Sequence, residues 1–425
     1  MTGTTVDRRA ATGLGPAAAG MLLVAATYGM ARFGVGLFAP ALGAARPDLT
    51  GVLGWAGAAQ FTSYSLAAVV AARWVDRRPR AGLLLAGATA ILGCLGVAVA
   101  SSPVLFVAAV FIGGLGGGFA SPALVPVIDA VVAPHASATA QSVVNSGTAV
   151  GVIGAGVVAS TALAVGPAWV CMAMVCAVAT VAAWYPVRAR ADLAAADRPT
   201  AAPPSAPAGT SSAADRPTAA PASVPPPTLS AAPVRASATG LVRGPWRPLV
   251  LPGAAAVVAG AGSSLVWTFG PVLITDSGAV ATAGVGWLWI ALGLGGALGT
   301  LTGALVRRAG IRGAWCWCAG ALAVAATGVA MSAAAGTAWP AYAGMALFGA
   351  GYMGLSGVLI LWARQVRPGG AGAGTSALFV ALATGQALGS AGFGLAQGVA
   401  GPVVLAALAA GLCALGGLTV LLRTR

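Results

Sequence analysis

The chain has 425 residues, 58% hydrophobic and 7% charged, with 63 glycines and a mean hydropathy of +0.91. No water-soluble domain of this size has that composition; it belongs in a bilayer. All 22 basic residues are Arg and all eight acidic ones Asp, a net +14, but the arginines are scattered in twos to fours between apolar stretches rather than gathered on one face, which argues against a nucleic-acid partner.

A membrane helix needs about 20 apolar residues, and twelve stretches supply them. Residues 1–16, with Asp7, Arg8 and Arg9, form a short leading tail. The apolar run that follows is too long for a signal-peptide core and has no convincing cleavage site, so 17–43 reads as the first span. Arg32 lies 15 residues into it, about 22 Å along a helix and slightly past the bilayer midplane. An arginine at that depth costs about 2.5–3.5 kcal/mol, so it must face a wet cavity or a partner. Three roles stand open: a clamp on an anionic substrate group, a structural partner of backbone carbonyls or of Asp129, or a charge that modulates coupling. Tyr28 sits one turn away on the same face.

The second span, 52–72, carries Gln60 and Tyr64, and the turn after it reads ARWVDRRPR with Asp76, Arg77 and Arg80. Spans three and four follow at 81–100 and 103–127. The glycines at 113, 114 and 116–118 in span four read as helix packing and not as a phosphate loop, since no Lys-Ser/Thr follows. No carboxylate occupies the midplane, and Asp129 near the end of span four is the nearest stand-in for a coupling acid. Span five, 138–163, holds Asn145 and the small pair Gly147 and Gly151; span six covers 166–186.

Residues 187–247 change character. They are rich in Pro, Ala and Ser and repeat the octamer ADRPTAAP at 196–203 and 214–221. With few large apolar residues this segment cannot offset the entropy of ordering, so it is expected to be a disordered cytoplasmic tether.

Six more spans follow at 249–274, 282–306, 314–335, 340–363, 371–398 and 401–422, leaving a three-residue tail, 423–425. Polar and aromatic candidates for a central lining are Ser263 and Trp267 in span seven, Trp289 in span eight, Tyr352 in span ten and Gln386 in span eleven. Ser263 stands where Arg32 stands in the first half, so no second arginine forms a paired clamp. The halves echo each other at a nearly constant offset: Phe38-Ala39-Pro40 with Phe269-Gly270-Pro271, Gly54-Trp55 with Gly286-Trp287, and Asp76-Arg77 with Arg307-Arg308. They read as two domains, 17–186 and 248–422, with a site near the midplane where they meet. Apart from the tether, thirteen arginines fall on one side and only Arg46 on the other, which places both termini in the cytoplasm. Tryptophans follow as an aromatic belt, with Trp74, Trp184, Trp246, Trp315 and Trp362 on the inner side and Trp55, Trp169, Trp287 and Trp339 on the outer.

The turns after spans two and eight carry a family resemblance. ARWVDRRPR keeps the Asp76, Arg77 and Arg80 of a G-x-x-x-D-R-x-G-R signature, with Ala72 and Pro79 in place of its glycines. GALVRRAGIR keeps Gly303, Arg308, Gly310 and Arg312, with Arg307 in place of the Asp. At equivalent places in a six-plus-six layout, these two turns make the chain resemble the major facilitator superfamily. Span five, GTAVGVIGAG, is also similar in part to the drug-efflux branch, with Gly147 and Gly151 in place and Val152 where a proline belongs.

The resemblance implies an all-α integral membrane fold, twelve helices in two pseudo-symmetric six-helix bundles, working by alternating access. It implies that Asp76 latches the inner gate, with Arg77, Arg80, Arg308 and Arg312 around it, although arginines there also serve topology. The expected function is a secondary transporter in the plasma membrane for a small organic solute, either proton-coupled or an uncoupled facilitator, acting as a monomer in the lipid bilayer. A transporter-like sensor without transport is the other reading. No nucleophile constellation, zinc-type His pair or acidic cluster points to an enzyme, and no cofactor or metal is expected. The six cysteines all fall in apolar segments and behave as small hydrophobes.

Overall fold

A computed structural model of the chain describes residues 14–75, 77–161, 163–196, 246–368 and 371–421. Asp76, residues 1–13 of the leading tail, 197–245 of the expected tether and the tail 423–425 lie outside the described residues; residues 14–16 already belong to the first helix, and 187–196, expected in the tether, continue the helix that starts at Val165.

The first span is three pieces in line: α1 (Leu14–Val24), a π-helical segment (Ala25–Arg32) and α2 (Gly34–Ala45). Then come α3 (Leu53–Trp74), α4 (Pro79–Val99), α5 (Pro103–Val131), α6 (Pro134–Ser160) and α7 (Val165–Ala196). The second half has α8 (Val250–Asp276), α9 (Val285–Gly296), a 3-10 turn (Ala297–Leu301), α10 (Thr302–Ala335), α11 (Ala338–Val366), α12 (Ala371–Ala396) and α13 (Pro402–Leu418). Helices α4, α5, α6 and α13 each start on a proline, whose fixed φ and missing N–H suit the first helical position.

Among the described residues, ten helical stretches are long and apolar enough to cross a membrane. One of them, Thr282–Ala335, has 54 residues and is broken at Gly310, where φ is 70° and ψ 171°. A left-handed φ is open to glycine and strained for other residues, so the signature glycine of the second basic turn is the corner between spans eight and nine. Helix α3, with 22 residues, is also long enough to cross, and its polar stretch Gln60 to Ser65 explains its lower hydropathy. The molecule is thus an all-helical, multi-pass bundle consistent with twelve crossings.

Packing repeats between the halves. The pairs α4–α5, α3–α5 and α4–α7 recur as α10–α11, α9–α11 and α10–α13, and the first span rests on α6 and α7 as α8 rests on α12 and α13. Between the halves, α3 meets α12, α6 meets α9, and α2 meets α8.

These contacts concentrate at the end of the bundle that carries residues 46–52 and 277–281, the far end. A methyl on Gly36 of α2 would collide with the Trp267 carbonyl oxygen of α8. Gly57 of α3 meets Ser390 of α12, and Gly286 of α9 meets Gly156 and Ser160 of α6. Small residues let the backbones approach closely enough for dispersion to hold the halves together, since lipid offers no hydrophobic drive. Towards the opposite, near end, α1 packs chiefly on α6 and α7 of its own half. At the far end Arg46 also forks onto Asp48 at 2.9 and 2.8 Å and reaches the Ala100 carbonyl. That hydrogen-bonded guanidinium holds the Asp48 carboxyl below its ordinary range.

The tryptophans depart from the expected belt. Trp55, Trp246, Trp287 and Trp339 are exposed, but Trp169, Trp315 and Trp362 are buried. Trp315 donates to the Gly416 carbonyl of α13 at 2.8 Å and meets Trp362 edge-on. These indoles lock helices to one another, because a ring at a helix end serves whichever face it happens to occupy.

Candidate functional site

The π-helical segment positions the buried arginine. Gly151 of α6 lies so close to the Ala25 carbonyl that no side chain fits there, and a methyl on Gly29 would come within 2.6 Å of the Gly151 Cα. With 4.4 residues per turn, a π segment keeps residues four apart on one face, and such segments gather at functional sites. Carbonyls in and just before it meet other donors: Thr27 Oγ1 donates to Leu23 O at 2.7 Å, and Cys176 Sγ lies 3.5 Å from Ala26 O.

Tyr28 and Arg32 therefore point the same way, and Arg32 enters a cage of rings. Its Cζ lies 4.5 Å from the centroid of Tyr28, 5.0 Å from Phe33, 5.1 Å from Phe61 and 4.0 Å from Tyr64. The side chain is 1% exposed, and neither Nε nor Nη1 has a hydrogen-bond partner. Aromatic faces attract a cation through their quadrupole, so the cage stands in for the water or carboxylate that the sequence led us to expect.

Asp129, considered above as a structural partner for Arg32, is not one. It is exposed towards the near end of α5 and accepts a hydrogen bond from Ser137 Oγ at 2.6 Å.

Across the divide the rings continue. Phe33 stacks on Trp267 at 3.8 Å with an interplanar angle of 13°, one ring from each half. Trp267 meets Trp289, Phe348 and Tyr352 edge-on at 6.0, 5.3 and 5.2 Å, distances typical of favourable aromatic pairs. Tyr352 and Gln386 form a hydrogen-bonded pair between α11 and α12, with the amide Nε2 3.1 Å from the phenol oxygen. Among the described residues, three further polar atoms of this cluster are buried without a partner: the indole N–H groups of Trp267 and Trp289, and Gln60 Oε1.

The structure thus brings Tyr28, Arg32, Tyr64, Trp267, Trp289, Tyr352 and Gln386 into one cluster, with Gln60 a turn of α3 from Tyr64. Ser263 is buried and spends its hydroxyl on the Gly260 carbonyl. Asn145 is exposed, on the face of α6 whose next turn, at Ala149, meets Gly293 of α9. Phe33, Phe61 and Phe348 belong to the cluster although nothing in an apolar span marks one phenylalanine from another. The basic residues Arg77, Arg308 and Arg312 are exposed at the near end, and Arg80 is half-buried.

A shallow apolar groove of about 660 Å³ lies elsewhere, on the flank of the first half, lined by residues such as Trp55, Val104 and Phe111 of α3 and α5.

Tyr352→Phe should leave the Gln386 amide without its partner and lower the melting temperature of the purified protein. The expected cost is about 1 kcal/mol, between that of an average interhelical bond in a membrane and that of an orphaned buried group. Adding Gln386→Leu should restore it, because the amide is then gone too. An unchanged melting temperature in the single variant would show that the pair contributes nothing.

Residues 21–390 match the family model described as Major Facilitator Superfamily. Among solved structures, the chain is similar to the nucleoside transporter NupG, with a TM-score of 0.62, 12% identity and coverage of 96% of this chain and 97% of that one. A D323A mutant of the same transporter gives 0.61, 11%, 96% and 98%. At such identities the likeness concerns the fold alone. No curated protein matches the sequence.

Proposed function

The chain belongs to the major facilitator superfamily, and from that premise we propose that it carries a small organic solute across the plasma membrane by alternating access, acting as a monomer. The observation that carries this reading is the cluster around Arg32 and Trp267, built from both halves near the middle of the first and seventh spans. A binding site that both halves complete is what a rocking carrier needs, since separating them at either end exposes it to one side in turn. The far-end seam of Gly36, Gly57 and Gly286 supports a conformation closed on that side.

In this reading the arginine distribution puts the termini and the near end in the cytoplasm. Asp76 is the latch of the cytoplasmic gate, with Arg77, Arg80, Arg308 and Arg312 as its basic surroundings. Asp129, exposed near that end, is the candidate coupling acid. The solute contacts are Tyr28, Arg32, Gln60, Tyr64, Trp267, Trp289, Tyr352 and Gln386, with Ser263 and Asn145 further along the path. The solved neighbours are named for nucleosides, and a nucleoside is accordingly one solute to try.

The test is uptake and release of a solute panel by the purified chain in proteoliposomes, with and without an imposed pH gradient. We expect saturable flux of at least one member of the panel, and a response to the gradient if a proton is coupled. Binding of a solute with no flux in any gradient would favour a sensor and overturn the carrier reading.

A further inference from the structure

The cluster has a surplus of donors and of charge. Arg32 brings one positive charge with two unsatisfied N–H-bearing nitrogens, and Trp267 and Trp289 each bring a free indole N–H; Gln60 Oε1 is the one buried acceptor there without a partner. Among the described residues, Asp48 is held by Arg46, Asp129 by Ser137, and Asp276 is exposed at the far end of α8, so none of these carboxylates answers the charge. The ionisable groups that lie against Arg32 are phenols, Tyr28 and Tyr64. The second half contributes Ser263 where a second cation would stand. One unanswered charge calls for a ligand with one negative charge and several acceptor lone pairs.

The shape of the ligand follows from the rings. Phe33 directly follows Arg32, and its ring lies parallel to Trp267 of the other half at 3.8 Å. Here these two rings cover each other's faces. A flat ring slipped between them meets a π face on each side, and its charged substituent then lies beside the neighbouring guanidinium. A saturated or bulky solute cannot enter a parallel stack without giving up both faces.

We propose, resting on the carrier reading above, that the site takes a planar aromatic monoanion, an arene carboxylate, with its ring between Phe33 and Trp267 and its carboxylate on Arg32. The carboxylate oxygens accept from the guanidinium, a charge-assisted bond that Lys reproduces only as a point charge. The indole N–H of Trp267 or Trp289 remains for a further acceptor on the ring. A neutral nucleoside has the flat ring and leaves the charge unanswered.

The experiment is binding of 2-naphthoate to the full chain purified in detergent, followed by calorimetry and by quenching of tryptophan fluorescence. The comparison ligands are 2-naphthamide, which is neutral, and cyclohexanecarboxylate, which is charged but not flat. Naphthoate should bind at least tenfold more tightly than either, and the quenching should be lost in Trp267→Phe. Arg32→Gln should abolish the preference for naphthoate over the amide, and Phe33→Leu should abolish the preference over cyclohexanecarboxylate while the preference for charge survives. Each variant is checked for a single monodisperse peak, and the two preferences are ratios within one protein, so partial misfolding does not imitate either result.

Equal binding of naphthoate and naphthamide, or naphthoate binding unchanged by Arg32→Gln, would overturn the proposal. So would an absence of naphthoate binding in a preparation that transports another solute, and there the carrier reading stands. Tight naphthoate binding with no flux of naphthoate or any other solute supports the anion site and sinks the carrier reading instead.

Discussion

Arg32→Met is expected to raise the melting temperature of the ligand-free protein while lowering transport more than a hundredfold. The two effects have one cause. A guanidinium that is 1% exposed, with Nε and Nη1 unsatisfied, has lost its hydration without gaining an acceptor, and such desolvation costs several kcal/mol. Four ring faces return part of that, at about 0.5–2 kcal/mol for a well-placed cation. Methionine is shorter by two heavy atoms but similar in volume, carries no charge, and keeps favourable sulfur contacts with the rings. A net gain of about 1–3 kcal/mol follows, within the range found when buried charges are replaced by apolar groups. In the loaded carrier the sign reverses, because the substitution removes hydrogen bonds to charge worth about 1.5–3 kcal/mol each. Thermal unfolding in detergent and flux in proteoliposomes measure the two sides. A fall in melting temperature would mean that the arginine is structural, and unchanged flux would remove it from the solute path.

Gly36→Val is expected to hold the carrier open at the far end and reduce turnover at least tenfold. The added side chain would occupy the place of the Trp267 carbonyl oxygen, and backbone cannot step aside as a flexible side chain does. Forcing bulk into a closed interface costs about 1–3 kcal/mol, and 2 kcal/mol shifts a two-state balance about thirtyfold. The collision exists only while the halves are together at that end, so folding of each half is spared and the cost falls on one conformation. Ser390→Cys, placed where Gly57 meets α12, reports on this: labelling by a membrane-impermeant maleimide from the far side should rise when Gly36→Val is added. Identical labelling and turnover in the two backgrounds would show that the seam does not open during the cycle.

The bundle was legible in the sequence because bilayer thickness dictates the length of each apolar run. Much of the central cluster was legible for a related reason: Arg32, Gln60, Tyr352 and Gln386 are polar where lipid would forbid it, so each had to point inward. Other features carried no such mark. Phe33, Phe61 and Phe348 are as apolar as their surroundings, and only the fold separates a ring facing lipid from one facing the guanidinium. The same ambiguity misled the reading of Trp169, Trp315 and Trp362, since a span apolar on every side does not reveal which side is buried. The π segment was invisible because its cause lies in another helix, at Gly151. Arg32 was expected to face a wet cavity, backbone carbonyls or Asp129; that four rings lie against its guanidinium depends on contacts between two separate stretches of chain, 28–33 and 61–64.

A lone guanidinium midway through a bilayer also makes the cycle sensitive to membrane potential. When an arene carboxylate neutralises it, the loaded site crosses the field with no net charge, and the voltage acts only on the return of the empty form, which carries +1. Each unit charge moved through 100 mV is worth about 2.3 kcal/mol, scaled by the share of the field that the site traverses. In a cell negative inside, the empty form is drawn towards the cytoplasm, where it reloads. The electrical gradient therefore drives such a carrier to expel its anion.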